Sequence, residues 1–205
     1  MACASDTLRP VSRRRIDQRL LCAADSSDEE LLHQVRAGDR PAFTELMRRH
    51  LDPLHAYLAR LTASRSDAED LAQETFLRIW QKAHTYHRRR GKVSTWIYRI
   101  AHNLCIDLFR KRGQMSNSAT AEATSHAGDQ FEQQAAREAG CRLETALAAL
   151  PENQRVAVLL CQVRGFSNAE AAEIMALNLA ALESLLARAR RSLKQKVFID
   201  EGDTR

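Results

Sequence analysis

Residues 93–112 read VSTWIYRIAHNLCIDLFRKR, and the spacing of their apolar side chains decides how this chain folds. Trp96, Ile97, Ile100, Ala101, Leu104 and Leu108 recur at steps of three and four residues, the period of one helix face. Arg99, Asn103 and Arg110 fall on another face, with Tyr98 and His102 beside them. Immediately upstream runs Tyr86-His87-Arg88-Arg89-Arg90-Gly91-Lys92, a basic loop with one aromatic and one glycine. Two readings fit this stretch: an amphipathic helix whose charges only keep it soluble, and a helix whose polar face touches an anion.

Working outward towards the N-terminus, three more segments carry the helical period. Ser66-x-x-Glu69 has the form of a capping box and opens a helix expected to reach about Ala83. Ala68, Leu71, Ala72, Thr75 and Ile79 make its apolar stripe, with Phe76 and Trp80 beside it. Asp67, Asp70, Gln73, Glu74 and Leu77 cluster on another side, an acidic and amide face with one apolar residue in it. Before it, Phe43, Leu46, Met47, His50, Leu51, Leu54, Tyr57, Leu58 and Leu61 define a helix starting near Pro41, with a kink or break expected at Pro53. The first helix follows a second capping box, Ser27-x-x-Glu30, buries Leu31, Leu32 and Val35, and stops at Gly38. Residues 1–26, with Arg13-Arg14-Arg15, show no period and are expected to be a disordered extension.

Downstream, residues 113–139 lose almost all large apolar side chains and read as a flexible linker, with a reach of roughly 85 Å at about 3.3 Å per residue. Two domains so joined can engage well-separated sites. A second domain follows over 140–198, ahead of a short tail at 199–205. Leu143, Ala146, Leu147 and Leu150 form a helix stopped at Pro151, and residues 154–164 a second, with Val156, Val158, Leu159, Leu160 and Val163 expected inside. Gly165-Phe166-Ser167 turns the chain, and Ser167 caps a short helix with Glu170 three residues on. Ala176-Leu177-Asn178 connects it to a long helix from Leu179 to about Val197, a helix-turn-helix arrangement. From Ala187 that long helix carries Arg188, Arg190, Arg191, Lys194 and Lys196, a set suited to phosphates. The fold expected is all-α: a four-helix N-terminal domain and a helix-turn-helix C-terminal domain, both small, joined by a flexible linker.

Composition agrees. Aromatic residues are 5% of the 205, and Ala, Leu, Arg, Glu and Gln dominate, which favours helices and leaves little for strands. The net charge of +5 is compatible with a polyanionic partner. No apolar run approaches the roughly 20 residues of a membrane span, and no signal peptide is legible, so a cytoplasmic protein without direct membrane insertion is expected. The five cysteines, Cys3, Cys22, Cys105, Cys141 and Cys161, are scattered and make no metal-site spacing with the seven histidines. They read as reduced structural thiols, and no metal or cofactor is expected. There is no glycine-rich phosphate loop and no nucleophile motif, so an enzyme is not expected.

Two blocks together carry a family resemblance. Asp67-x-x-Asp70-Leu71-x-Gln73-Glu74-x-Phe76 followed by Thr95-Trp96-Ile97-Tyr98-x-Ile100-Ala101-x-Asn103-x-x-x-Asp107-x-x-Arg110 resembles region 2 of extracytoplasmic function (ECF) sigma factors of the sigma-70 superfamily. Leu150-Pro151-x-x-Gln154-Arg155, Gly165-Phe166-Ser167-x-x-Glu170-x-Ala172-x-x-Met175 and Glu183-Ser184-x-x-x-Arg188-Ala189-Arg190 are similar to region 4. The blocks stand in the family's order and span about 145 of 205 residues.

The resemblance implies a transcription initiation subunit without catalytic residues. Asp70, Gln73, Glu74 and Leu77 would dock on the clamp coiled coil of the largest catalytic subunit of RNA polymerase core. Tyr86, Arg88, Arg89, Lys92, Arg99, Asn103 and Arg110 would meet promoter DNA at the −10 element, and Ser167, Glu183, Ser184, Arg188, Arg190, Arg191 and Lys194 at the −35 element. The residue types suit these roles. Opening duplex costs about 1.4 kcal/mol of stacking per step, which a protein offsets by trapping an extruded base and following the strand with cations. Trp96 sits in the apolar stripe and so reads more readily as core than as a stacking platform; Asp107 has Arg110 and Lys111 within ion-pair reach. The start of the long helix, Asn178-Leu179-Ala180-Ala181-Leu182-Glu183-Ser184, departs from the Thr-Val-Lys run of many members, leaving few side chains for base edges. The family further implies control by an anti-sigma factor, often membrane-bound, in a stress or signalling response. A free-standing helix-turn-helix regulator is the alternative, and it would not need the acidic-amide face.

Overall fold

The computed structural model describes residues 26–88, 91–116 and 144–202, with side chains through 113 and 195 in the last two segments; the expectations for the extension, most of the linker and the end of the tail lie outside them. Among the described residues every regular element is helical. Helix α1 (Asp28–Arg36) starts at the expected box: Ser27 Oγ accepts from Glu30 N, and Ser27 N donates to the Glu30 carboxylate at 2.8 Å. Gly38, at φ +83°, turns the chain out of it.

Helix α2 (Arg40–Thr62) is capped by Asp39 and passes through Pro53 without a break. The missing backbone bond and ring clash cost about 3 kcal/mol. Beyond the proline, Leu54, Leu58 and Leu61 are fully buried, each contributing on the order of 2 kcal/mol, so packing carries the helix across. Helix α3 (Arg65–Lys82) corrects the capping box expected at Ser66-x-x-Glu69: Ser64, not Ser66, is the cap, its hydroxyl accepting from Asp67 N. Ala63 at φ +52° ends α2, and the Thr62 hydroxyl donates to carbonyls on both sides of the turn, so the chain reverses two residues earlier than the motif suggested. After a 3₁₀ turn (Ala83–Thr85), α4 runs over Val93–Ser116.

In the C-terminal unit a helical turn over 144–148 precedes α5 (Glu152–Val158), which continues as a π-helical turn (Leu159–Val163). Arg164 N donates to Leu159 O, five residues back. That wider turn shifts the helical phase, so Val163, expected inside, is 41% exposed. The hairpin is as read: α6 (Asn168–Ile174) carries a complete capping box at Ser167, and α7 (Leu179–Gly202) follows. The apolar interior forms one contiguous cluster across both units, not two separate ones.

An ionic network pins α1 to α2. Glu45 accepts from Arg48 through two bonds of 2.8 Å and from Arg49 at 2.7 Å, while Arg49 also donates to Ser26 O and Asp28. The Arg48 hydrogen bonds hold the Glu45 carboxyl at about 2, below its usual range. A carboxyl whose pKa is depressed on folding contributes stability above its unfolded value, and that contribution is lost as pH falls from roughly 4.5 through 2. Replacing Glu45 with Gln should therefore lower the melting temperature at pH 7 and leave a gap from wild type that narrows towards pH 2, as calorimetry across that range would show.

Candidate nucleic-acid interface

Helix α4 places its residues by depth. Trp96 is core, 7% exposed and edge-on to Tyr86 at 5.7 Å. Tyr86, expected to offer its ring to DNA, is instead a packing residue: it is buried, and its hydroxyl donates to Gly91 O at 3.0 Å, closing the basic loop on itself. Arg88, Lys92, Asn103 and Arg110 are exposed and Arg99 is half-buried; Arg89 lies outside the described residues. Asp107 pairs with Arg110 at 3.0 Å, so Arg110 is held rather than free. Tyr98 and His102, read as neighbours of the polar face, are buried.

The C-terminal unit covers them, together with Tyr57 of α2, whose ring lies 5.2 Å from that of Tyr98. Phe166 sets its ring edge-on to Tyr98 at 4.9 Å, and the Arg164 guanidinium lies 5.6 Å over the same ring. Lys92 pairs with Glu170 at 2.9 Å and Arg99 with Glu173 at 3.3 Å. Farther along, Arg155 donates to Leu61 O at 3.0 Å and Arg60 pairs with Glu144 at 2.8 Å. A cavity of about 490 Å³ remains between Asn103 and His102 on α4 and Met175, Ala181 and Arg188 of the helix-turn-helix.

On α7, Glu183, Ser184, Arg188, Arg190, Arg191 and Lys194 line the helix beyond its first turn, and all six are exposed. The Arg188 and Arg191 Nε atoms donate long bonds, 3.3 and 3.4 Å, to carbonyls of their own helix. Asn178 caps this helix, its side chain accepting from Ala181 N at 2.7 Å. Ser167 is exposed, but its hydroxyl is already tied to Glu170 at 2.8 Å. Leu177 and Leu179 stand exposed at the helix start.

The remaining face lies on α3. Asp70, Gln73 and Leu77 are exposed, and Glu74 is half-buried and paired with Arg78 at 2.8 Å. Leu77 rims an apolar groove of about 840 Å³ between α2 and α3, with Phe43, Met47, Leu51, Phe76 and Trp80 in its walls. Phe43 packs edge-on to both Phe76 and Trp80, at 6.3 and 5.1 Å, which fixes the groove floor.

The two helical units correspond to two family models, sigma-70 region 2 over residues 46–114 and sigma-70 region 4 over 142–193. The ECF RNA polymerase sigma factor SigM of Mycobacterium tuberculosis is 37% identical over 170 residues, covering 82% of this chain and 84% of that protein. The chain belongs to the ECF sigma factors. SigE of Mycolicibacterium smegmatis is 34% identical over 168 residues, and the chain spans 65% of its length. Among solved structures, the sigma factor RpoE of Bartonella quintana, in complex with the anti-sigma factor NepR, superposes with a TM-score of 0.64 at 27% identity, covering 77% of this chain and 98% of that one. Members of this family are initiation factors, not enzymes.

In this sigma factor, sequence reading missed the residues that join the units: Glu170, Glu173, Arg164 and Phe166 against α4, and Arg155 against α2. Glu170 and Phe166 were visible only as parts of a local turn motif, and nothing in a helical period shows which distant helix a turn will meet. Asn178 was legible in hindsight as an N-cap residue before an apolar first turn.

Proposed function

We propose that this chain is a promoter-specificity subunit: it binds RNA polymerase core through the α3 face, opens and reads the −10 element with α4, and holds the −35 element as duplex with α7. Residues 27–112 form the first unit and 140–198 the second. The observation that carries this reading is the coexistence of two polar rows in matched regions of one chain, Arg99-Asn103-Arg110 in region 2 and Arg188-Arg190-Arg191-Lys194 in region 4. Asn103 has the donor and acceptor pair a base edge requires, and Lys92 and Arg99 supply cations for the strand backbone. Glu183 and Ser184 are the polar side chains of α7 nearest its start. Tyr86, being inside, has no part in contact with bases.

The protein acts in the cytoplasm, where polymerase is, under an anti-sigma factor that is membrane-bound in many systems. None of its described helices is long and apolar enough to cross a membrane. Run-off transcription with core polymerase on genomic fragments tests the reading: promoter-specific transcripts dependent on this chain are expected, and failure to co-elute with core, with specific duplex binding alone, would instead mark a free-standing regulator.

The α7 row makes a second test. Replacing Arg188 and Arg190 with Ala should weaken holoenzyme binding to promoter duplex and flatten the plot of log affinity against log salt by about 1.8, roughly 0.9 for each phosphate no longer neutralised. An unchanged slope would remove these two arginines from the set that meets phosphate.

A further inference from the structure

We infer that Ala180 and Ala187 of α7 read the −35 duplex through thymine methyl groups, so that two T·A pairs about three steps apart set this chain's preference at that element. This rests on the reading of α7 as the partner of that duplex.

The two alanines are placed by burial and helical phase. Leu182, Leu186 and Ala189 turn α7 onto the core and are buried. Ala180, Ser184, Ala187 and Arg191 follow one another at steps of four, three and four residues on the opposite side, and all are exposed. Ala181, Leu185 and Arg188, on the side between, line the cavity against α4, so the outermost line itself stands in solvent. Each alanine projects a single carbon, which lets the helix backbone come close to the floor of a groove about 12 Å wide. Arg188 on one side of the line and Arg190 on the other can then reach the phosphates of both walls, fixing the depth and register of the helix. From Ala180 to Ala187 the rise is about 10.5 Å at about 1.5 Å per residue, which matches about three steps of duplex at about 3.4 Å.

The polar groups nearby leave discrimination to those methyls. Asn178, the residue type that holds adenine through two bonds, has its side-chain oxygen taken by Ala181 N at 2.7 Å. The Ser184 hydroxyl donates or accepts with equal ease and so separates bases poorly. Glu183 stands beside the line and is exposed. Its carboxylate is repelled by phosphate and matches an amino group on a base edge, which turns this side of α7 towards the bases and away from the backbone. The surface at the head of the helix is apolar as well, with Leu177 and Leu179 38% and 47% exposed. In the major groove the base feature that an apolar side chain recognises is the thymine 5-methyl, and alanine is among the residues that meet it.

The test alters the DNA before the protein. In a promoter duplex recovered by run-off transcription, each thymine of the −35 element is replaced in turn by deoxyuridine, which keeps every hydrogen bond and removes the methyl. The affinity of wild-type holoenzyme should fall about fourfold at each of two thymines about three steps apart, the loss of one buried carbon in each case, and stay level at the others. Ala187→Gly should erase the thymine–uracil difference at one of the two positions and keep it at the other, with Ala180→Gly doing the converse; circular dichroism melting checks that both variants fold, and the uracil scan on wild type stands without them. Equal affinity for thymine and uracil at every position, or a difference that neither folded glycine variant changes, would overturn the inference. Failure of core polymerase to yield any promoter would instead sink the sigma reading, and the same comparison on duplexes that the full chain selects from a randomised pool would still decide the methyl contact.

Discussion

Replacing Leu77 with Asp should reduce affinity for RNA polymerase core about thirtyfold or more and leave thermal melting within a few degrees of wild type. Leu77 is 49% exposed on α3, so the core keeps its packing, and Asp in a helix interior costs only about 0.7 kcal/mol in propensity. The residue stands where Gln73 and the apolar groove of Phe43, Met47 and Trp80 meet. An apolar side chain inside a polar rim is the arrangement in which a single truncation removes about 2 kcal/mol or more of binding, and a carboxylate adds the cost of desolvating a charge there. Glu74→Ala should cost far less, because the Glu74 carboxylate is already engaged by Arg78. Co-elution and competition binding with core distinguish the two; intact binding by the Leu77 variant, or equal losses for both, would move the clamp contact off this face.

Stability of the protein should fall by about 2 kcal/mol between pH 7 and pH 5 through one side chain, His102. The imidazole is 5% exposed on α4, and burial holds its pKa down at about 4. The unfolded chain takes a proton near 6.5 and the folded chain does not until about 4. As pH falls below about 6.5 the unfolded state therefore gains protons first, and the stability fully present above that value is lost progressively, reaching about 3 kcal/mol near pH 4. Urea unfolding of wild type and His102→Gln at pH 7, 6, 5 and 4.5 isolates the effect, since titrations common to both proteins cancel in the difference. The variant should start less stable and lose less; parallel curves would mean that His102 is hydrated or paired in solution. The window sits above that of Glu45, whose contribution disappears only below about 4.5.

How far this molecule could be read from its letters depends on the range of the forces involved. The apolar stripes of α2, α3 and α4 and the boxes at Ser27 and Ser167 are set by neighbours within one turn, and they stand where the periodicity and the capping rule put them. Ser64 and Ser66 both precede a suitable partner three residues on; only the left-handed Ala63 and the Thr62 hydroxyl, products of how α2 meets α3, choose between them. Val163 was misjudged because the period assumed for residues 154–164 holds only up to the π turn. In the site, charge type was legible and depth was not. Arg99 and Asn103 look alike in sequence, yet one is held by Glu173 and the other borders a cavity. Tyr86 and Tyr98 also look alike, as aromatics beside cations, and both are inside: the first packs on Trp96 with its hydroxyl on Gly91 O, and the second lies between Tyr57 and Phe166. Phe166 and Tyr57 lie dozens of residues from Tyr98, beyond the reach of any local pattern.

The pairing of Glu170 with Lys92 and Glu173 with Arg99 has a consequence for the promoter search. A binding site available in only a fraction of molecules has its apparent affinity scaled by that fraction: with about one molecule in a hundred available, every DNA encounter is weakened about a hundredfold. A genome presents about 10⁶ or more non-specific sites to a cationic protein, and a subunit of net charge +5 meets them through its unpaired cations first. Two glutamates on a seven-residue helix thus neutralise two of the cations that α4 would bring to such an encounter for as long as the two units stay packed.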